Sequence, residues 1–350
     1  MMSTISLDYT GNYNRFDSDD MYDQIVSLPN QIKTAYLDSE KNEYAKYYKN
    51  IDRILICGMG GSAIAGDLIK TLYEDEIPIR VIKDYKIPGY IDENTLGIVC
   101  SYSGNTEETV TCFKKLKKIG AQIAMLTSGG ILKHYSKEEG YLMKQLPNGY
   151  QPRAAIGYLF FSLLKILEEV AIVTDATVDA KLAIINVNNK LKYINMDVEE
   201  ESNLAKKIAK KIHKKIPIIY SSNPQLHPLA YRFKCQFNEN AKNHAFANTF
   251  SEMNHNEIEG WEGMNNDEVI PIFIRDYEED EIYLKRLKVI QDLFKKNKIE
   301  FLEIYTQGKT KLGKTFSTIL MMDLITFYLA ILNKVNPSKI EYINFLKENI

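Results

Sequence analysis

Short apolar runs alternate along this chain with longer segments whose apolar residues recur every three to four positions. Residues 53–57 are apolar and closed by Gly58, and 62–73 then carries Ile64, Leu68, Ile69 and Leu72 on one helical stripe. Runs at 79–82 and 96–100, a helical pattern over 106–119 and a run at 123–126 continue the alternation. Strands that read as unbroken apolar runs between helices are buried on both faces, the signature of parallel βαβ units. A long helix is expected over 153–173, and 179–193 with 200–214 reads as a helical bridge. A second alternation follows: strand 216–220, helix 227–240, strand 269–274, helix 280–296, strand 301–305 and helix 315–333. The predicted class is α/β, with two domains that are each a parallel sheet flanked by helices in three layers. The expected bounds are a helical extension over 1–48, one domain over 49–178, a second over 179–336, and a C-terminal helix over 337–350. Two cores are also what 350 residues suggest.

Charge narrows the classes of partner. With 44 basic and 46 acidic residues the chain has a formal net charge of −2, so it carries no electrostatic footprint for nucleic acid. Lysine clusters at 114–118 and 210–215 fall on helical patterns and read as solvated faces. Cys57, Cys100, Cys112 and Cys235 form no CxxC pair, and the five histidines form no i,i+4 pair, so neither a disulfide framework nor a zinc site is expected. The N-terminus shows no charged region followed by an apolar one. The most apolar run, 319–332, is interrupted by Asp323 and falls short of the ~18 residues of a membrane span, so it reads as a core helix. A cytoplasmic location is the expectation.

Two loops carry candidate chemistry. The first strand ends in Gly58-Met59-Gly60-Gly61-Ser62-Ala63 and enters a helix directly, so glycines can bring backbone N–H groups close to an anion. As GxGxxA, with Asp84 after the second strand, it also fits a dinucleotide fingerprint, which keeps an oxidoreductase as one alternative. The second loop, 101–109, reads Ser-Tyr-Ser-Gly-Asn-Thr-Glu-Glu-Thr. Hydroxyls at Ser101, Ser103 and Thr106 beside a helix start suit a phosphate monoester. The plainer reading is a capping box with Asn105 as N-cap and Glu108 three residues on.

A third segment, 238–262, packs five Glu, two His, six Asn and the single Trp into 25 residues. Such polarity marks either a solvated loop or a place where a carboxylate and an imidazole serve proton transfer. Glu239 at a helix C-terminus opposes the helix dipole, a local misfit that points towards function. His244, beside Ala245 and Phe246, reads as a partly buried, satisfied histidine. Met253 and Trp261 read as contact residues at a domain or subunit boundary.

The pair GMGGSAIAGD and SYSGNTEET resembles the sugar isomerase (SIS) domain, whose serine-rich loop holds the phosphate of a phosphosugar. The 238–262 segment, with Gln151-Pro152-Arg153-Ala154, resembles the bifunctional phosphoglucose/phosphomannose isomerase family over roughly residues 50–335 and the C-terminal helix. That resemblance implies two SIS-type domains. It also implies an aldose–ketose isomerase for glucose 6-phosphate and fructose 6-phosphate, extending to mannose 6-phosphate. By resemblance, Gly60, Gly61 and Ser62 line the sugar site, and Ser101, Ser103 and Thr106 hold the phosphate. Arg153 sits by the reacting carbons, Glu239 is the base, and His255 and Lys347 open the ring. It further implies a homodimer in which His255 reaches the neighbouring site. The family often has a Thr before the C-terminal lysine, linked to acceptance of mannose 6-phosphate. Here Ser338 and Ile340 stand in that region, so the glucose activity is implied more firmly.

The chemistry is coherent on its own terms. A carboxylate can move a proton between C1 and C2, an arginine can stabilise the enediolate, and an imidazole can open the ring. No cofactor or metal is needed. The remaining alternative is a non-catalytic phosphosugar-sensing module, which would leave Glu239 and His255 without a purpose.

Overall fold

The computed structural model describes residues 5–39, 45–264 and 267–349. Parts of the expected 1–48 extension, residues 1–4 and 40–44, lie outside the described residues. The described chain falls into two compact units: Ser27–Ile184, and the segment up to Val26 together with everything from Ile185 onwards. The N-terminal stretch is thus divided between the units instead of forming an extension of its own.

Helices α1 (Thr10–Phe16) and α2 (Met21–Val26) belong to the unit that contains the second sheet, and α3 (Leu28–Ile32) to the first. The first sheet combines β1 (Arg53–Cys57), β2 (Ile79–Ile82), β3 (Thr95–Cys100), β4 (Gln122–Thr127) and β5 (Leu142–Gln145). Its order is β2-β1-β3-β4-β5, parallel throughout. Strand β5 was not expected from sequence, because Lys144 and Gln145 break its apolar run at the sheet edge. Between the strands run α4 (Gly60–Tyr73), α5 (Glu107–Ile119) and α6 (Gly130–Glu139), with α7 (Ile156–Glu169) after β5.

Alternation along β1 explains the layers. Leu55 and Cys57 join Val99, Phe113, Leu116 and Met125 in one core. Ile56 points the other way, under α4, where Gly66 lies so close that a Cβ there would come within 2.9 Å of its Cγ2.

Helix α8 (Thr177–Ile194) begins in the first unit and ends in the other, where α9 (Leu204–Ile212) leads to β6 (Ile216–Ser221) and α10 (His227–Glu239). Then come β7 (Phe246–Thr249), α11 (Phe250–Met253), β8 (Val269–Arg275), α12 (Glu281–Lys296) and β9 (Leu302–Tyr305). Helices α13 (Lys311–Leu332) and α14 (Glu341–Glu348) complete the chain. This sheet is also parallel, in the order β7-β6-β8-β9. The chain is therefore α/β with helix-flanked parallel sheets, as the alternation predicts. The apolar run 319–332 lies inside α13, whose side chains are almost wholly buried. Tyr13 of α1 stacks on Phe327 of that helix at 5.9 Å.

Two expectations need correction. Trp261 and Met253 are core residues of their own unit, packed with Tyr220, Phe250, Phe273 and Phe294, and not boundary contacts. The Trp261 indole N–H donates to the Tyr220 hydroxyl at 3.2 Å, which satisfies its one polar atom. His244 is exposed, since β7 carries its neighbours along a sheet edge.

Candidate active site residues

In the first sheet the chain runs outward from β1 to β2 and returns to β3 on the other side of β1. Loops leaving β1 and β3 therefore meet at the carboxyl ends of adjacent strands, where open α/β sheets bind ligands. Both motifs sit there. A Cβ on Gly58 would come within 2.9 Å of the Cys100 carbonyl oxygen, so the crossing of the two loops depends on a missing side chain. The Ser62 hydroxyl accepts a hydrogen bond from the Tyr102 N–H at 3.3 Å, joining one motif to the other. Burial pushes the Cys100 thiol up to about 12 against the opposing pull of Ser62, so this cysteine is a neutral core residue and not a nucleophile.

The start of α5 is not the capping box of the plainer reading. Thr106, not Asn105, is the N-cap residue, and no side chain caps the helix. Asn105 Oδ1 instead accepts from the Ile131 N–H at 2.9 Å. The Thr106 hydroxyl is 2.9 Å from that of Ser101, which also accepts from the Gly104 N–H at 3.1 Å. Ser103 is exposed and accepts from the Asn105 N–H at 3.3 Å. No side chain caps the first turn of α4 either, where Gly60 has φ +50° and Gly61 and Ser62 follow. Two helix starts with uncapped N–H groups and hydroxyls between them form a cradle for an oxyanion.

A third loop, outside the two sequence motifs, supports this cradle. Gly104, at φ +73°, fits against Gly129 so tightly that a Cβ would collide with the Gly129 carbonyl oxygen at 1.9 Å. Ser128 Oγ donates to the Tyr102 carbonyl at 2.7 Å. The Tyr102 hydroxyl donates to the Pro147 carbonyl at 2.6 Å and accepts from the Tyr150 N–H at 3.1 Å. Tyr102 thus ties the serine loop to the segment leading to Arg153. The Ser-Gly-Gly run at 128–130 after a buried strand was the available signal.

Arg153 is buried and lies in a turn before α7, not in the helix's first turn as expected. Its Nη1 is 3.4 Å from the Gln151 side-chain oxygen. Gly61 packs directly on this turn.

Glu239, His255 and Lys347 stand on separate elements of the other unit. Glu239 is the half-buried last residue of α10, where Lys242 Nζ donates to its carbonyl at 2.6 Å and offsets the unfavourable helix end. Helix α10 is anchored by one face. Arg232 makes a bidentate ion pair with buried Asp323 of α13, Gln236 adds a bond to the same carboxylate at 2.9 Å, and Asn240 reaches Thr326 at 3.1 Å. The acid that interrupts the apolar run of α13 therefore fixes the helix that ends in Glu239. His255, in the turn after α11, is exposed, and Lys347 lies on exposed α14.

Comparison with known proteins adds to this geometry. The family model of the bacterial phospho-glucose isomerase C-terminal SIS domain matches residues 201–350. The bifunctional phosphoglucose/phosphomannose isomerase of Caldicellulosiruptor bescii is 34% identical over 336 residues, covering 94% of this chain and 98% of that one. That of Thermoplasma volcanium is 36% identical over 329 residues, with the same coverage. A D-glucosamine-6-phosphate 4-epimerase of Sulfolobus acidocaldarius is 35% identical over 229 residues, covering 65% of this chain and 69% of that one. A crystal structure of a hypothetical protein of Thermus thermophilus shares the fold, with a TM-score of 0.78 at 13% identity, covering 94% of this chain and 89% of that one.

Proposed function

The chain belongs to the bifunctional phosphoglucose/phosphomannose isomerase family, and we propose that it interconverts fructose 6-phosphate with glucose 6-phosphate and mannose 6-phosphate. The observation that carries this reading is similarity along 94% of the chain to relatives of that name. The cradle at the ends of β1 and β3 supports it independently.

In the proposed reaction Ser101, Ser103, Thr106 and the uncapped N–H groups hold the phosphate, and Gly60, Gly61 and Ser62 line the sugar. His255 and Lys347 open the ring by moving a proton between the anomeric hydroxyl and the ring oxygen. Glu239 removes the C1 proton of open-chain fructose 6-phosphate, which leaves a cis-enediolate. Arg153 stabilises the negative oxygen of that intermediate. A proton, exchangeable with solvent while Glu239 carries it, is returned to C2 as the O1 hydroxyl proton passes to O2, so O1 becomes the aldehyde oxygen, O2 a hydroxyl, and the atoms balance without a co-reactant. Return to one face of C2 gives the glucose epimer and to the other the mannose epimer, so one intermediate accounts for both products. The working unit is a cytoplasmic homodimer in which exposed His255 serves the neighbouring chain's site.

The Sulfolobus relative supplies a second reading, inversion at C4 of an amino-sugar phosphate. The two reactions leave different marks, since only aldose–ketose isomerisation labilises the C1 and C2 protons. Offering fructose 6-phosphate in a coupled assay and reading the two aldose phosphates separately tests the first. No aldose phosphate from fructose 6-phosphate, with C4 inversion of glucosamine 6-phosphate, would establish the second instead.

A further inference from the structure

The two sheets share an order, so their loops can be compared strand by strand: β1 with β6, β3 with β8, β4 with β9. The counterpart of the serine loop, after β8, reads Asp276-Tyr277-Glu278-Glu279-Asp280. Four carboxylates in those five residues repel an oxyanion, and Asp276 is already held by Lys314 Nζ at 2.8 Å. The second sheet does not repeat the phosphate cradle there.

One strand further along the character reverses. After β9 the chain reads Gln307-Gly308-Lys309-Thr310-Lys311 and enters the 22-residue helix α13. Beside this loop opens a groove of about 300 Å³, with a polar wall of Asn186, Asn189, Lys190, Ser202 and Gln307 facing the apolar Tyr193, Ile194 and Leu204. Gly308 has φ +152°, and a Cβ there would stand 2.6 Å from the Lys314 nitrogen. A Cβ on Gly313 would stand 2.1 Å from the Asn186 carboxamide nitrogen. Both glycines therefore keep the loop folded back against α8.

Lys190 is the unusual member. Its ammonium donates to the Gln307 side-chain oxygen, a neutral partner. Among the described residues no carboxylate stands within ion-pair distance of it, whereas Lys206 and Lys314 of the same unit, also withdrawn from solvent, pair with Asp8 and Asp276. Desolvation holds its pKa below the ordinary lysine value, with no opposing charge to restore it. A partly desolvated cation among carboxamides and hydroxyls, beside the positive end of a long helix, is a charge prepared for a mobile counter-ion.

We propose that this groove binds a small polyhydroxylated oxyanion, a polyol phosphate or a sugar acid. Lys190 carries the charge recognition, and Asn186, Asn189 and Ser202 bond the hydroxyls. Its volume is at the lower limit for ligand sites, about 300 Å³, which suits a ligand of a few carbons and not a nucleotide. The site uses none of the residues assigned to isomerisation and stands or falls apart from that reading.

Equilibrium binding of glycerol 3-phosphate, glycerate and glycerol tests it, in a Ser103→Ala/Thr106→Ala background that disables the first unit's loop. The expected result is binding of one or both anions and none of glycerol, and whichever anion binds identifies the preferred head group. Lys190→Met should weaken that binding at least ~10-fold, the effect of one lost charge-assisted hydrogen bond, and Lys190→Arg should largely restore it. In an otherwise wild-type chain, Lys190→Met should leave kcat/KM for fructose 6-phosphate within about twofold. Binding of neither anion, or binding indifferent to Lys190→Met in a variant with unchanged thermal unfolding, would overturn the proposal. So would loss of isomerase activity in that variant, because the lysine would then belong to the catalytic machinery. Lys190-dependent binding, together with no isomerase activity in the wild-type chain, would instead uphold this site and refute the isomerase reading.

Discussion

Gly61 and Pro152 touch through their main chains: a Cβ at position 61 would come within 2.8 Å of the Pro152 carbonyl oxygen and 3.4 Å of the Arg153 Cα. The glycine motif therefore fixes where the arginine stands as well as freeing N–H groups. Gly61→Ala should push the 151–154 turn outward. Displacement of a positioned group by about 1 Å is worth up to ~10²-fold in rate. The variant should lose kcat by that order while its melting temperature changes little. An unchanged kcat would show that Arg153 needs no such support.

The Ser101–Thr106 hydroxyl pair predicts a selective binding defect. Thr106→Ala removes one donor to the phosphate and frees Ser101 Oγ from its 2.9 Å partner. KM for fructose 6-phosphate should rise by the equivalent of ~1.5–3 kcal/mol, with kcat less affected. Unphosphorylated fructose should remain a poor substrate for wild type and variant alike. A variant impaired equally towards both sugars would remove these hydroxyls from phosphate binding.

How much of this was legible in the sequence depends on burial. Strands β1, β3, β4, β6 and β8 are covered on both faces, so their apolar runs announced them. Strand β7 was missed because it is an edge strand, with Phe246 exposed and polar residues following. The serine and glycine loops were legible because they need residue types that little else requires. The Tyr102 bridge and the 128–130 loop were not, because their partners are main-chain atoms supplied by other loops. Trp261 was misjudged for a similar reason: its polar neighbours in sequence hide an aromatic cluster assembled from β6, β8 and α12.

Asp323 was legible only as an interruption of an apolar helix, and its partner explains it. Arg232 and Asp323 are both almost fully buried and joined two-pronged, with Gln236 on the same carboxylate. Removing one partner of a buried pair leaves an uncompensated charge, a cost of about 3–5 kcal/mol. Asp323→Ala should therefore lower stability by that amount in denaturant unfolding, and the paired change Arg232→Met with Asp323→Leu should recover much of it. Equal losses in the single and double variants would show that the pair's charge is not what matters.

The shared-site proposal predicts complementation. His255 is exposed in its own chain, so a partner chain can use it. Mixing inactive Glu239→Gln and His255→Ala proteins should restore activity, because a mixed dimer holds one site with both wild-type residues. Subunit exchange verified by mass, with no activity at any mixing ratio, would show that each chain completes its own site.

In the proposed reaction Glu239 moves a proton between C1 and C2 of a phosphosugar. Conversion of fructose 6-phosphate in deuterium oxide, followed by mass spectrometry and NMR of the products, reads this most directly. Glucose 6-phosphate and mannose 6-phosphate should both form and carry solvent deuterium at C2. Glu239→Gln should slow their formation by ~10²–10⁴-fold while still binding the substrate. A Glu239→Gln variant that converts fructose 6-phosphate at the wild-type rate would contradict it.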